Sequence, residues 1–104
     1  MYVLTVTTTR PDISVEFYWN NPTIWPGPAT YIGLYFTSGD IILPIDRIFS
    51  ADTLTFTRTI TFKDPTSAIT YFTGLDTDYP TWITEKNNYD TLNGHTETKV
   101  YTTV

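Results

Sequence analysis

The chain of 104 residues contains no cysteine, a single histidine and only six lysine or arginine residues. The missing thiols exclude disulfides, thiolate catalysis and zinc–thiolate sites. One histidine without clustered partners does not make a metal site, so we expect neither a metal nor a cofactor. The scattered cations and the net charge of −5 do not form the basic patch of a nucleic-acid-binding protein, so we expect no nucleic-acid partner.

Long hydrophobic runs are also missing from the chain. No apolar stretch approaches the roughly 20 residues that a transmembrane helix needs, and residues 1–5 do not resemble a signal peptide. Together with the lack of cysteine, this predicts a soluble cytoplasmic protein without a membrane anchor. Aromatic residues make up 16% of the chain, which indicates a packed core, and the length fits one domain over residues 1–104.

Threonine dominates the composition, with 23 residues, and its β-branched shape favours strands. The clearest strand covers residues 53–63, where large side chains alternate with threonines without a slip. Successive side chains of a strand point to opposite faces, so one face is a ladder of hydroxyls. The other face is apolar with a single cation, and carries Leu54, Phe56, Arg58, Ile60 and Phe62.

Alternation also predicts strands over residues 2–10, 41–49 and 96–104. Pro44 lies within the second of these and indicates an edge strand or a bulge. Residues 50–52 have the right length for a hairpin loop.

The segment between the first two strands is less well determined. Residues 13–19 are predicted either to resume the first strand or to form one helical turn. Residues 20–28 contain three prolines and are predicted to form a loop. Residues 28–38 combine helical spacing with a β-rich composition, and we favour a helix because Gly39 supplies a C-terminal stop.

A second helix, interrupted in its middle, is predicted between the last two strands. Asp64 and Pro65 begin it as an N-cap acid and a first-turn proline. Gly74 and residues 76–80 interrupt it, and Asn93-Gly94 closes its second part with a left-handed cap. The expected apolar face of the first part contains Ala68, Ile69, Phe72 and Leu75. The resulting order βαββαβ is that of the ferredoxin-like split βαβ sandwich, an α+β fold.

The second half of the chain resembles a known group of proteins. The strand that ends in Phe62-Lys63-Asp64-Pro65, the interrupted helix, and residues 89–96 leading into the last strand are similar to the dimeric α+β barrel group. That group includes antibiotic-biosynthesis-monooxygenase-like proteins. The resemblance covers about residues 54–104 and implies a homodimer in which a second copy covers the threonine face. Residues 19–28 and Pro44 depart from the usual pattern of the group.

Two titratable residues are candidates for ligand binding. Arg58 lies on an apolar face and needs a partner, for which we expect a carboxylate such as Glu16 or Asp46 in a structural ion pair. The alternative is that Arg58 anchors an anionic or carbonyl ligand. His95 follows a turn and is expected to be exposed, although its ordinary pKa also suits an acid or base near neutral pH.

Two tryptophans in the proline-rich region, Trp19 and Trp25, are the other candidates. Together with Phe17 and Tyr18 they are expected to form a cluster that plugs one end of the core, a lid over a pocket or a partner surface. No catalytic residue is predicted, because the chain has no nucleophile elbow and no phosphate-binding loop.

These observations favour a small accessory or binding protein that self-associates through its sheet. A first alternative, implied by the resemblance, is a cofactor-free monooxygenase-like enzyme that acts on a small aromatic substrate. Its ligand would lie between the helices and the sheet, with Arg58 and His95 as polar contacts and the tryptophan loop as a lid. A second alternative is an all-β interaction or virion module, in which residues 28–38 and 65–92 would be less helical.

Overall fold

The computed structural model describes residues 1–25 and 27–104. The four strands form an antiparallel sheet in the order β2-β3-β1-β4. This confirms the predicted ferredoxin-like α+β fold and contradicts the all-β alternative. The elements in chain order are β1 (Tyr2–Thr9), a 3₁₀ turn (Tyr18–Asn20), α1 (Ala29–Ser38), β2 (Ile41–Phe49), β3 (Thr55–Phe62), α2 (Pro65–Asp78), α3 (Pro80–Leu92) and β4 (Thr96–Thr103).

The two faces of the sheet differ because each strand alternates. In β1, Leu4, Val6 and Thr8 are buried, whereas the residues between them are half-buried. The helices pack on the side of Leu4, which we call the covered face. The other side is the open face, and the strand registers place on it Val3, Thr5, Thr7, Thr9, Ile42, Asp46, Ile48, Thr55, Thr57, Thr59, Thr61, Thr96, Thr98, Val100 and Thr102.

The core lies between the covered face and the helices. The sheet contributes Leu4, Val6, Ile41 and Phe62, and the helices contribute Tyr31, Ala68, Tyr71 and Leu75. The hydroxyl of Tyr31 donates to the backbone oxygen of Tyr71 at 2.5 Å. A side chain at position 74 would collide with that hydroxyl, so Gly74 permits the close approach of α1 and α2. Gly74 therefore lies inside α2 and does not interrupt it, contrary to our expectation.

The helix ends follow the predicted signals. Asp64 accepts a hydrogen bond from the backbone nitrogen of Ser67 at 2.7 Å, and Pro65 opens α2. Gly39 and Gly94 adopt left-handed conformations, with φ of 80° and 71°, after α1 and α3. The interruption falls at Tyr79, because Pro80 lacks an N–H donor and disfavours helical geometry in the residue before it.

The structure corrects the prediction for residues 13–19. They form turns and the start of the 3₁₀ turn, and the strand does not resume. The side chain of Asp12 accepts from the backbone nitrogen of Ser14 at 2.8 Å, which bends the chain away from the sheet. Arg10 then fixes the segment by donating to the backbone oxygens of Val15 and Thr53, at 3.2 and 3.1 Å.

Three smaller expectations also need correction. Strand β3 begins at Thr55, since Thr53 has a φ of +61° and cannot continue a strand. The hairpin loop is correspondingly longer than residues 50–52. Ile69 is exposed, and Tyr71 takes its place in the core because the buried side of α2 is turned toward Tyr31.

Strand β2 lies at the edge of the sheet, and its register shifts between Ile42 and Asp46. Pro44 therefore lies both in an edge strand and at an irregularity of the register, as its position in the sequence indicated. In the part of the chain that the structure describes, no helix is long and apolar enough to cross a membrane.

Candidate functional site

A cleft opens between the covered face and the helices, beside the core. It consists of two adjoining cavities of about 370 and 220 Å³. The larger cavity lies toward α1 and β2, and the smaller one extends toward α3 and β4. Both cavities are lined by Tyr18, Trp25, Ile32, Arg58, Ile60 and Tyr71.

The walls of the larger cavity are mainly aromatic and aliphatic. Helix α1 contributes Ile32 and Phe36, strand β3 contributes Phe56 and Ile60, and the 3₁₀ turn contributes Trp19. Apolar walls around a few polar groups are typical of small-molecule sites, which measure about 300–1,000 Å³.

The floor of the cleft carries an unusual row of charges. Arg47 of β2 lies directly opposite Arg58 of β3, Arg58 lies opposite Val6 of β1, and Val6 lies opposite Lys99 of β4. Residues that lie opposite one another in an antiparallel sheet point to the same face. Three of the four positions in this line across the sheet are therefore cations on the covered face. We call Arg47, Arg58 and Lys99 the cation row.

Arg58 occupies the centre of the row. Its Nη2 lies 3.5 Å from Oε2 of Glu97, and its Nη1 donates to the hydroxyl of Tyr18 at 3.4 Å. Its guanidinium lies 5.4 Å from the ring centre of Trp19, and its Nε is buried without a hydrogen-bond partner. Arg58 is thus paired, as the ion-pair prediction required, but loosely and with one donor free.

The carboxylate beside Arg58 is Glu97, so our choice of partner was wrong. Glu16 instead accepts from the side chain of Asn20 at 2.9 Å. Asp46 lies on the open face, since the register shift in β2 turns it away from the cleft.

Glu97 connects Arg58 with helix α3. Oε1 of Glu97 lies 3.0 Å from Nζ of Lys86, and Oε2 accepts from the hydroxyl of Thr8 at 3.1 Å. Lys86 also contacts Asp90, one helical turn later, at 2.9 Å. Burial alone would raise the pKa of Glu97, but the charges of Lys86 and Arg58 hold that pKa below its usual value.

Lys99 differs from Lys86, because none of the ion pairs among the described residues includes it. Its ammonium lies 4.7 Å from the ring centre of Phe72. Desolvation lowers the pKa of Lys99, and repulsion from Lys86 and Arg58 lowers it further, although Glu97 acts in the opposite direction. Lys99 is therefore a cation of the cleft without a carboxylate partner.

His95 is buried, so the expectation of an exposed turn residue was wrong. Its side chain has 0% exposure and packs against the rings of Phe17 and Tyr89, at 5.6 and 5.7 Å between ring centres. Its Nδ1 lies 3.6 Å from Oδ1 of Asp90. Burial lowers the pKa of His95, against the effect of Asp90 and with some help from Arg10. His95 does not line either cavity of the cleft.

The two tryptophans both line the larger cavity. Trp19 stacks on Phe17, with 4.5 Å between ring centres, and Trp25 meets Trp82 edge-on at 6.5 Å. They therefore pack against other aromatic rings and also form a wall of the cleft. Pro26, in the same predicted loop, lies outside the described residues.

Three of the four residues predicted from the sequence thus meet at the cleft: Arg58, Trp19 and Trp25. The sequence reasoning missed Glu97 and Lys99. Their spacing of two in a predicted strand was a usable signal, because it places both on one face. Among the described residues, no group of three or more His, Cys, Asp or Glu is arranged to hold a metal ion.

Comparisons with known proteins support the fold. No family model and no curated protein matches the chain. Among solved structures, it is similar to a dimeric ferredoxin-like protein from an uncultured marine organism, with a TM-score of 0.66 and 10% sequence identity. The match covers 99% of this chain and 94% of that chain. At this identity the likeness shows the ferredoxin-like fold alone.

Proposed function

We propose that the protein binds a small molecule in the cleft and works as a homodimer joined through the open face. The cleft is the observation that carries the binding function. It combines apolar walls, a total volume suited to a small ligand, and polar groups from three strands that converge on one floor.

The dimer is supported by the composition of the open face. Ile48 and Val100 are 68% and 59% exposed, Ile42 is also exposed, and half-buried or exposed threonines make up most of the rest of this face. Exposed aliphatic side chains on a wide β-surface favour association, and two-fold dimers are the commonest result. The structurally similar protein is itself described as dimeric.

Binding is favoured over catalysis for a physical reason. The carboxylate in the floor of the cleft, Glu97, is held ionised by Lys86 and Arg58, which makes it a weak proton acceptor. The monooxygenase-like alternative stays a second candidate, because Arg58 and the two tryptophans line the cleft where that hypothesis placed its ligand. We retain the cytoplasm as the expected location, since the chain has no cysteine.

Calorimetric titration with 2-naphthoate and with neutral 2-naphthamide tests the cleft. We expect saturable binding of at least one probe, with one site per chain. Ile32→Trp fills the cleft from α1 and should abolish binding. Leu34→Trp is the matched control, because Leu34 lies on the same helix and is exposed to solvent. If neither probe saturates, or if both variants bind like the parent, the binding function is wrong.

Light scattering at micromolar concentration tests the dimer. We expect twice the chain mass of 11.9 kDa. Ile48→Lys together with Val100→Lys should give a folded monomer, because lysines on both sides of the interface repel and cost desolvation. Ile69→Lys is the control, since Ile69 is equally exposed but lies on α2. A parent protein that stays monomeric would refute the dimer.

A further inference from the structure

We propose that the cleft binds an aromatic organic acid, whose flat apolar rings lie between α1 and β3 and whose carboxylate is held by the cation row. This inference rests on the proposed binding function and adds the chemical class of the ligand.

The charge distribution is the first argument. The chain has a net charge of −5, yet four of its six lysines and arginines line the cleft: Arg47, Arg58, Lys86 and Lys99. The carboxylates nearby are Asp76 and Glu97, which line the cleft, and Asp90, which contacts Lys86. Cations therefore outnumber carboxylates here in an otherwise acidic protein, and this excess attracts an anion.

The ion pairs show which of these cations carry the excess positive charge. Lys86 of α3 forms ion pairs with both Glu97 and Asp90, so it already neutralises much of the negative charge near the cleft. None of the ion pairs among the described residues includes Arg47 or Lys99. The uncompensated charge therefore lies on Arg47 and Lys99, the two ends of the cation row.

The cation row also has an energetic cost that a ligand would remove. Like charges directly opposite one another in a sheet are unfavourable, and Arg47 faces Arg58 in this way. A carboxylate at this point would offset this repulsion and suit the fork geometry of a guanidinium.

The walls indicate why the acid should be aromatic. Trp19, Phe36 and Phe56 line the larger cavity, and Trp19 already lies over the guanidinium of Arg58. A flat ring system can stack on these side chains while its carboxylate lies on the floor. Inorganic phosphate would satisfy the cations but would leave the apolar walls without a contact.

The experiment compares three probes by calorimetry: 2-naphthoate, its neutral analogue 2-naphthamide, and inorganic phosphate. We expect naphthoate to bind at least tenfold more tightly than naphthamide, and phosphate to bind more weakly than naphthoate. Higher salt should weaken naphthoate binding and leave naphthamide binding nearly unchanged, because only the anion depends on charge attraction.

Variants of the cation row give the second readout. Arg58→Met and Lys99→Met should each weaken naphthoate binding about tenfold without changing the affinity for naphthamide. Lys63→Met is the matched control, since Lys63 pairs with Asp40 at 2.8 Å outside the cleft. Circular dichroism checks that each variant is folded. If Arg58→Met does not fold, the affinities of Lys99→Met for naphthoate and naphthamide test the inference instead.

Three results would overturn the inference. The two naphthalene probes could bind equally to the parent protein, or the row variants could lose both probes in parallel. Either result would refute the anionic class while leaving a ligand-binding cleft. Failure of all three probes to bind would instead refute the binding function, and the inference with it.

Discussion

The two faces of the sheet are made by the same four strands but differ in almost every chemical property. The covered face contains the fully buried Leu4 and Phe62 together with the charges of Arg58, Glu97 and Lys99. The open face is more uniform, with rows of threonine interrupted by a few aliphatic side chains and by Asp46. The comparison shows that alternation along each strand decides which face a residue lies on. The packed helices decide which apolar and charged side chains are buried on that face.

The covered face itself changes character along β1. The row across Leu4 pairs it with Ile60 and Tyr101 and carries no charge. The next row, across Val6, carries Arg58 and Lys99, although Leu4 and Val6 both belong to the core. The charged floor of the cleft thus begins only two residues along β1 from an uncharged row. A site at the margin of a packed core gains rigidity from that core.

The largest expected difference between the faces concerns neighbouring residues of β1. Leu4→Ala should destabilise by about 2–5 kcal/mol, because the side chain has 0% exposure and its removal leaves a cavity. Thr5→Ala, on the open face, should cost less than about 1 kcal/mol. Urea unfolding at a fixed protein concentration measures both, since a dimer's stability depends on concentration. Equal losses would mean that the open face is as well packed as the covered face.

Much of the fold could be predicted from the sequence because its signals are local. The alternation in residues 55–62, the cap at Asp64 and the stop at Gly39 each depend on a few neighbouring residues. For residues 13–19 the sequence left a resumed strand and one helical turn open, because a period of two is ambiguous where Asp12 can bend the chain by bonding to the backbone.

The site was less predictable because its pairs are long-range. The alternation placed Arg58 on the covered face, but its partner Glu97 comes from a strand far along the chain. Strand order and register determine that pairing, and a one-residue slip would place Glu97 on the open face. For the same reason, the burial of His95 beneath Phe17 and Tyr89 could not be derived from the turn that precedes it.

The second prediction tests whether Glu97 holds the charged part of the covered face together. Glu97→Gln should destabilise by about 3 kcal/mol, because the half-buried Arg58 loses its carboxylate partner and Lys86 keeps only Asp90. Arg58→Met should cost less, since Glu97 keeps Lys86 and Thr8 as partners.

Urea midpoints for these variants provide the measurement, with Glu85→Gln as the control. Glu85 is exposed on α3, and its replacement should change stability by less than about 0.5 kcal/mol. A loss for Arg58→Met that exceeds the loss for Glu97→Gln would show that Arg58, and not Glu97, is the centre of the network.

The third prediction concerns pH and the single histidine. Burial lowers the pKa of His95 in the folded state below its ordinary value of about 6.5 in the unfolded chain. The unfolded state therefore binds more protons, so the contribution to stability is complete above pH 6.5 and is lost as the pH falls toward the folded pKa.

Urea midpoints between pH 7.5 and 5.5 should decrease for the parent protein and vary less for His95→Gln. The comparison is clean because no other histidine is present and there is no cysteine. A parallel slope in both proteins would show that His95 is not the group responsible.

The smallest expected effect is a difference in acetylation rate between Lys99 and Lys63. Desolvation, with repulsion from Lys86 and Arg58, lowers the pKa of Lys99, whereas the hydrogen bond to Asp40 raises the pKa of Lys63. Only the neutral amine attacks an acylating reagent, so at pH 8 Lys99 should react a few times faster than Lys63. Peptide mass spectrometry over a time course of acetylation measures the two rates in one sample.

Lys63 is a fair reference for Lys99 because its side chain is 52% exposed and therefore accessible to the reagent. Asp40→Asn should increase the rate at Lys63 and leave Lys99 unchanged, since it removes the carboxylate that stabilises the charged amine. Saturating 2-naphthoate should protect Lys99 and not Lys63 if the acid binds at the cation row. Equal rates at the two lysines in the parent protein would contradict the view that the cleft contains an uncompensated cation.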